Sequence, residues 1–216
     1  MHAFSTLALG SMRRTPEQLV TPERRELARR LRLDADRLTV AGAVHGKRVA
    51  RVDSPSGAMD GFDGLVTDRA GLPLLATFAD CYPLVVYDAQ NHALGLAHAG
   101  WRGTAAGIAG ALVDTLVREY GSRREHLVAG VGPGICGDCY QVGVEVADRF
   151  EGFSRPDGDD HRRLDLAAAN QAQLEQAGLY PERVHVHGAC TFESQELPSH
   201  RRRPDGARFA CIVALR

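Results

Sequence analysis

The chain has little of what marks a membrane, secreted or nucleic-acid-binding protein. No apolar run approaches the roughly 20 residues needed to span a bilayer. The opening Met1-His2-Ala3-Phe4-Ser5 lacks the charged-then-apolar design of a signal peptide, so the expected location is cytoplasmic. A formal net charge of −1 gives no electrostatic reason for nucleic acid or a membrane as partner. The five cysteines are an odd number and are not arranged as a secreted disulfide framework. Cys136 and Cys139 make one Cys-x-x-Cys, which raises a second metal site or a redox pair. With no second Cys-x-x-Cys and no nearby His-x-x-x-His, a structural zinc lacks ligands there, and reduced thiols are expected.

What is present reads as an ordinary globular chain. A length of 216 residues with 44% hydrophobic and 25% charged residues fits a single compact domain over 1–216. Thr21-Pro22-Glu23 is a helix start, with a hydroxyl N-cap and proline at the first helical position; the helix is expected to run to Leu33. Its pairs Arg24-Arg25 and Arg29-Arg30 lie among Glu23, Glu26 and Leu27, which reads as a solvated face. Short apolar runs predict strands at 38–44, 48–53, 72–78, 84–87, 93–97, 127–131, 184–187 and 208–213. Helices are predicted at 104–120 with Thr104 as cap and Gly121 as stop, at 142–150, and at 165–177 closed by Gly178. The polar stretch 152–161, with Pro156 and Gly158, reads as a mobile loop. Strands dominate the first half and alternate with helices later, so the fold class is α/β in the α+β sense, with antiparallel pairs.

Three residues stand out: His45 in Val-His-Gly, Cys81 in Ala-Asp-Cys-Tyr-Pro, and His98 in Ala-His-Ala-Gly-Trp-Arg-Gly-Thr. Two imidazoles and one thiolate form a borderline-soft ligand set that suits zinc. Three protein ligands leave the fourth tetrahedral position open, the arrangement of a catalytic site. His45 falls on a tight connection; Cys81 and His98 are each expected just after a strand. The sequence also contains Gly132-Pro133-Gly134-Ile135-Cys136-Gly137, a G-x-G-x-x-G pattern. Pro133 removes an N–H that a pyrophosphate would need, and no acidic residue follows at the required spacing. A sharp loop carrying Cys139-Tyr140 toward the site is the better reading.

The flanking residues carry a resemblance. Val44-His45-Gly46, Asp63-Gly64-Leu65-Val66-Thr67, Ala79-Asp80-Cys81-Tyr82-Pro83-Leu84 and His98-Ala99-Gly100-Trp101-Arg102-Gly103-Thr104 resemble successive signatures of one bacterial family. Gly132-Pro133-Gly134-Ile135, Cys139-Tyr140-Gln141-Val142-Gly143, Leu164-Asp165-Leu166 with Asn170, Cys190-Thr191 and Ser199-His200-Arg201-Arg202 continue it. The family was first called multicopper polyphenol oxidase, or laccase-domain protein, and later recognised as a zinc-dependent purine nucleoside phosphorylase. The resemblance covers roughly 40–214 and implies a compact fold of mixed β-sheets flanked by helices, with a divergent segment at 1–37 before a core at 38–214. It implies His45, Cys81 and His98 as ligands of Zn2+, with Cu2+ a second candidate for the same set. The partners it implies are purine nucleosides and phosphate, in a monomer or homodimer.

A phosphorylase must place phosphate against the anomeric carbon of a ribose, which calls for arginines and backbone N–H groups. Arg102 beside His98 is the first candidate and Arg48 the second, with Arg201 and Arg202 near the end. The helix expected to open at Thr104 offers free N–H groups to the same anion. Asp80 is expected to orient a ligand histidine or to carry a proton. Deamination of adenosine, by attack of water, is a second activity that the resemblance implies. The older oxidase name fits poorly. A multicopper oxidase needs about ten histidines, mostly in His-x-His pairs, whereas this chain has nine and one such pair, His185-Val186-His187. Copper chemistry at the three-ligand site, a metal-free cysteine hydrolase with Cys81 as nucleophile and His98 or His45 as base, and a non-catalytic binding module are the alternatives.

The start of the chain departs from the family pattern. Leu7 stands where arginine is usual, leaving Arg13 or Arg14 to replace it if that arginine touches substrate. Ala43 and Gln141 stand for the usual glutamine and glutamate, and Glu196-Leu197 for a pair of phenylalanines. The metal ligands are unaffected; substrate preference is where these changes would act.

Overall fold

The computed structural model describes residues 1–15 and 18–216. Two stacked sheets form its centre. The first runs in the order β13 (Val184–Val186), β9 (Val128–Val131), β7 (Tyr82–Asp88), β8 (Ala93–Ala99), β5 (Gly64–Thr67) and β3 (Val49–Arg51). The second runs β1 (His2–Phe4), β14 (Phe209–Val213), β6 (Leu74–Phe78), β2 (Thr39–Gly42) and β4 (Gly57–Asp60). Both are mixed: β2 is parallel to β4 and β6, while β7 is antiparallel to β8 and β9. A small third sheet joins β10 (Gln141–Gly143), β12 (His161–Leu164) and β11 (Ser154–Pro156). The helices are α1 (Pro22–Arg30), α2 (Trp101–Ala105), α3 (Ile108–Tyr120), α4 (Val144–Ala147) and α5 (Leu166–Gln176).

The period of two along each strand sorts side chains into layers. In β6 and β14, Leu75, Ala210 and Ile212 face Leu27 and Ala28 of α1. The alternate residues Leu74, Ala76, Phe78, Phe209, Cys211 and Val213 face the other sheet. In β8, Ala93, Ala97 and Ala99 pack under Leu112 and Leu116 of α3, whereas Leu94 and Leu96 point between the sheets. The order of layers is therefore α1, sheet, sheet, then α3 with α5. Because each sheet is covered on both faces, its strands read as continuous apolar runs rather than as alternating ones. None of the described helices is long and apolar enough to cross a membrane.

Several expectations need correction. The helix expected at Thr104 starts earlier, with Gly100 as N-cap of α2, and Gly107 at φ 86° breaks it from α3. Thr104 is instead buried, its hydroxyl donating to Asn170 Oδ1 at 3.2 Å. The stretch 152–161 is the turn region of a hairpin, since β11 pairs with β12. The helix expected over 142–150 shrinks to α4, because Gln141–Gly143 is drawn into a strand against β12. Nor is Arg24 on a solvated face: it is 1% exposed. Its guanidinium donates to Met12 O at 2.9 and 2.7 Å and to Leu19 O at 2.7 Å. Burial, with the Arg14 charge nearby, pulls its pKa down to about 10. Arg25, Arg29 and Arg30 do lie exposed, paired with Asp36 and Glu26.

Candidate metal centre

His45, Cys81 and His98 come from three different places in the chain. His45 sits in the connection between β2 and β3 with φ 63°. Cys81 sits between β6 and β7, right after Asp80 at φ 80°. Left-handed backbone is uncommon outside glycine and clusters at functional sites; two of the four such residues in the described chain lie in or beside this set. His98 is inside β8 rather than after it. Its even position puts it on the face that carries Leu94 and Leu96, and its ring meets Phe78 at a centroid distance of 5.4 Å. The side chain thus leaves the space between the sheets just where the loops of His45 and Cys81 arrive.

One donor atom from each of the three lies within 4.8 Å of the others. The imidazoles stand edge to face, 4.9 Å apart at 82°. Gly100 is what lets them close up: a Cβ there would stand 2.8 Å from Cys81 Sγ and 3.0 Å from His45 Cδ2. Two nitrogens and one sulfur at such separations fit a zinc ion, and equally copper, with one coordination position left over. Asp63, fully buried, holds the group together. Its carboxylate accepts N–H bonds from Val44, His45 and Gly46 at 3.2, 2.8 and 2.8 Å. Its Oδ1 is also 3.3 Å from His98 Nδ1. A carboxylate only accepts, so Nδ1 carries the proton and Nε2 is the free donor.

Electrostatics inside the group run against burial. Burial alone would raise the Cys81 thiol, but the His98 and His45 imidazoles bring it down to about 6. Burial would lower His98, but Cys81 and Asp63 lift it to about 9. Without a metal the pair therefore favours thiolate and imidazolium. Burial of the Asp63 carboxyl is likewise outweighed, by His98 and the backbone N–H groups, and its pKa is lowered.

The centre forms part of the wall of a cavity of about 640 Å³, within the range of small-molecule sites. The cavity's cations are Arg14, Arg24, Arg201 and Arg208, with His200, Tyr140 and Asp80 beside them. Of the two arginines considered as replacements near the start of the chain, Arg14 lines this cavity, where it pairs with Asp60 at 2.5 Å. Arg201 donates from Nη1 to Gln141 O at 2.7 Å and lies over the Tyr140 ring at 5.4 Å. Burial and the Cys81 charge raise Tyr140 to about 12, against the pull of Arg201 and Arg102.

The other predicted site residues fall elsewhere. Arg48 is exposed and lies over Phe62 at 4.3 Å, outside the lining. Arg102 is exposed and lies over Trp101 at 4.4 Å, outside the lining but in electrostatic reach of Tyr140. Arg202 is committed to carbonyls: Nη1 donates to Thr191, Phe192 and Ser194 and Nη2 to Leu197. Its guanidinium is a structural clamp rather than an anion ligand. Asp80 does not touch a ligand histidine; that position belongs to Asp63. Asp80 accepts from Thr191 Oγ1 and from the Arg201 N–H, both at 2.7 Å. Asp63 was visible as the start of Asp-Gly-Leu-Val-Thr, but a lone aspartate before a glycine gives no local sign of reaching two loops. Cys136 and Cys139 are free thiols, as expected, but Cys190 and Glu193 join them within 4.8 Å, so donors that the local spacing lacks come from a distant segment. Among the described residues, the two clusters of this kind use only His45 and His98 of the nine histidines, so no multicopper centre is assembled.

The architecture and this centre define a family. The chain matches the model described as "Multi-copper polyphenol oxidoreductase laccase" over residues 1–216 and belongs to that family. It is 38% identical to a protein of Deinococcus radiodurans named "Purine nucleoside phosphorylase", over 99% of this chain and 88% of the relative. It is 35% identical to "Adenosine deaminase RL5" of an unknown prokaryotic organism, over 74% of this chain and 67% of the relative. The crystal structure of the Bacillus licheniformis hypothetical protein YfiH superposes with a TM-score of 0.90 at 31% identity, covering 100% of this chain and 92% of that one.

Proposed function

We propose that the chain is an enzyme acting on purine nucleosides at the His45–Cys81–His98 centre, cleaving them with phosphate in a zinc-dependent reaction. The observation that carries this reading is an open three-donor set beside a cavity with Arg14, Arg201 and Arg208 on its wall. The names of the relatives in Deinococcus and elsewhere point to the same substrate class. Zinc, when bound, supplies Lewis acidity toward a substrate oxygen or an attacking water.

The protein's own residues do the rest. Asp63 fixes the His98 tautomer and the loop of His45 together, so the donor atoms need little rearrangement. Arg201, with Arg14 and Arg208, offers planar guanidinium groups suited to phosphate, and Asp80 positions Arg201 by accepting its backbone N–H. Arg102 adds positive charge near Tyr140. The raised Tyr140 keeps its hydroxyl protonated at neutral pH, a donor for a substrate oxygen or ring nitrogen. Deamination of adenosine, the activity in the name of one relative, would need a different pose: the base rather than the ribose faces the centre, water adds at C6 and ammonia leaves.

The test is turnover of inosine, adenosine and methylthioadenosine, with and without phosphate, followed by chromatography of base and ribose-1-phosphate. Base release that needs phosphate and disappears with the metal in Cys81→Ala supports the phosphorylase. Arg201→Ala is expected to raise the phosphate KM about 10-fold, the equivalent of ~1.4 kcal/mol. Turnover that survives removal of metal would overturn the proposal and favour Cys81 as a nucleophile.

A further inference from the structure

We infer that Cys136, Cys139, Cys190 and Glu193 form a second, closed site for a thiophilic divalent cation of the zinc class. Its role is to clamp the loop at 132–140 to the segment at 188–196. One donor atom from each of the four lies within 4.8 Å of all the others. Three sulfurs and a carboxylate oxygen make four donors, the number that closes a tetrahedral structural site and leaves no open position for catalysis. The site shares no ligand with the His45–Cys81–His98 centre and does not depend on the reaction proposed for it.

The local backbone has the form such a site requires. The N–H groups of Cys139 and Tyr140 both donate to Cys136 O at 3.0 Å, a tight turn that brings the two sulfurs to one side. The Cys136 N–H donates to Cys190 Sγ at 3.3 Å, and the Cys139 thiol donates to Glu193 Oε1 at 3.6 Å. The two segments already meet through backbone bonds, from Gly134 N to Ala189 O at 3.3 Å and from Thr191 N to Gly134 O at 2.9 Å. A Cβ at Gly134 would lie 2.4 Å from the Tyr82 ring, so only glycine admits this contact. All five cysteines are free, and Cys190 is buried while Glu193 faces solvent.

A divalent ion would turn three crowded thiols into three paired thiolates.

The clamp reaches the cavity through both segments. Tyr140 follows Cys139 directly, and Thr191, beside Cys190, donates to Asp80, which also holds the Arg201 N–H. A metal in the cluster therefore sets the wall of a neighbouring site without touching its contents.

Metal analysis of the full chain purified under reducing conditions tests the idea. Two equivalents of zinc are expected in the wild type, and one each in Cys81→Ala and Cys139→Ser. Cobalt loaded into Cys81→Ala should show strong sulfur-to-cobalt charge-transfer absorption, since three thiolates remain. Glu193→Gln, exposed and harmless to folding, should weaken metal binding in the Cys81→Ala background by about 10-fold or more, as even loss of an outer partner does. Metal-free Cys81→Ala without the cobalt band would overturn the site. So would fewer than five titratable thiols in the wild type after unfolding without reductant, which would show a disulfide instead. Each readout is independent of nucleoside turnover, so either proposal can fail alone.

Discussion

Asp63 is the residue on which the most geometry depends. One buried carboxylate receives three consecutive backbone N–H groups and faces the Nδ1 of His98. Replacing Asp63 by Asn leaves the shape but supplies a donor where only acceptors fit. Zinc affinity is expected to fall by about 10- to 100-fold, read by competition with a chromophoric chelator; unchanged affinity would remove Asp63 from the centre. Gly100 makes the complementary case. Gly100→Ala pushes a methyl against Cys81 and His45, and should weaken the metal without unfolding the chain, as circular dichroism would show. The grouping of His45, Cys81 and His98, which the structure brings together, was legible in the sequence because their flanking motifs are distinctive. Asp63 and the placement of the arginines were not, because their partners lie on other strands and loops. Arg24 and Arg202 carry the same lesson: one reads as surface charge and the other as a phosphate ligand, yet both end on backbone carbonyls.

At the scale of elements, local chemistry explains most of what was anticipated. Thr21 caps α1 with proline following, Asp165 caps α5, and Gly121 at φ 67° ends α3. Expectation and structure part where pairing overrode local preference, as in the hairpin of β11 and β12, or where a candidate ligand lies within a strand, as His98 does. The turn between β7 and β8 depends on Asp88, whose Oδ1 accepts from the N–H groups of Gln90 and Asn91 at 2.9 and 3.1 Å. Burial would raise this carboxyl, but Ser122, Asn91 and Gln90 outweigh it and lower its pKa. A depressed carboxylate contributes stability that is present above the unfolded pKa of about 4 and is lost as pH falls through the folded value. Asp88→Asn should therefore cost stability at pH 7 but little at strongly acid pH, in urea unfolding followed across that window. An equal cost at both would show that charge is not involved. The Arg202 clamp should matter at every pH: Arg202→Met leaves four carbonyls short of a donor, for an expected loss of about 2–4 kcal/mol.

For the molecule as a whole, the stacked sheets with helices outside explain why so little of the strand pattern alternates, and why family resemblance rather than periodicity foretold the architecture. The candidate metal centre draws its donors from 45, 81 and 98 and its support from 63, and its cavity draws on residues as far apart as 14 and 208, so it exists only in the folded chain. Binding restricted to the native state raises stability by about 4 kcal/mol when free metal is 1,000 times its Kd. A chelator should accordingly lower the melting temperature of the wild type, and lower it less in Cys81→Ala. Strand order carries a consequence for synthesis. β14 is the sole partner of β1 among the described strands and also covers one edge of β6. While a ribosome is still making the chain, residues 2–4 have no strand to join and β6 keeps an open, adhesive edge until 209–213 emerge. Nascent chains stalled short of that point are the form most in need of a chaperone.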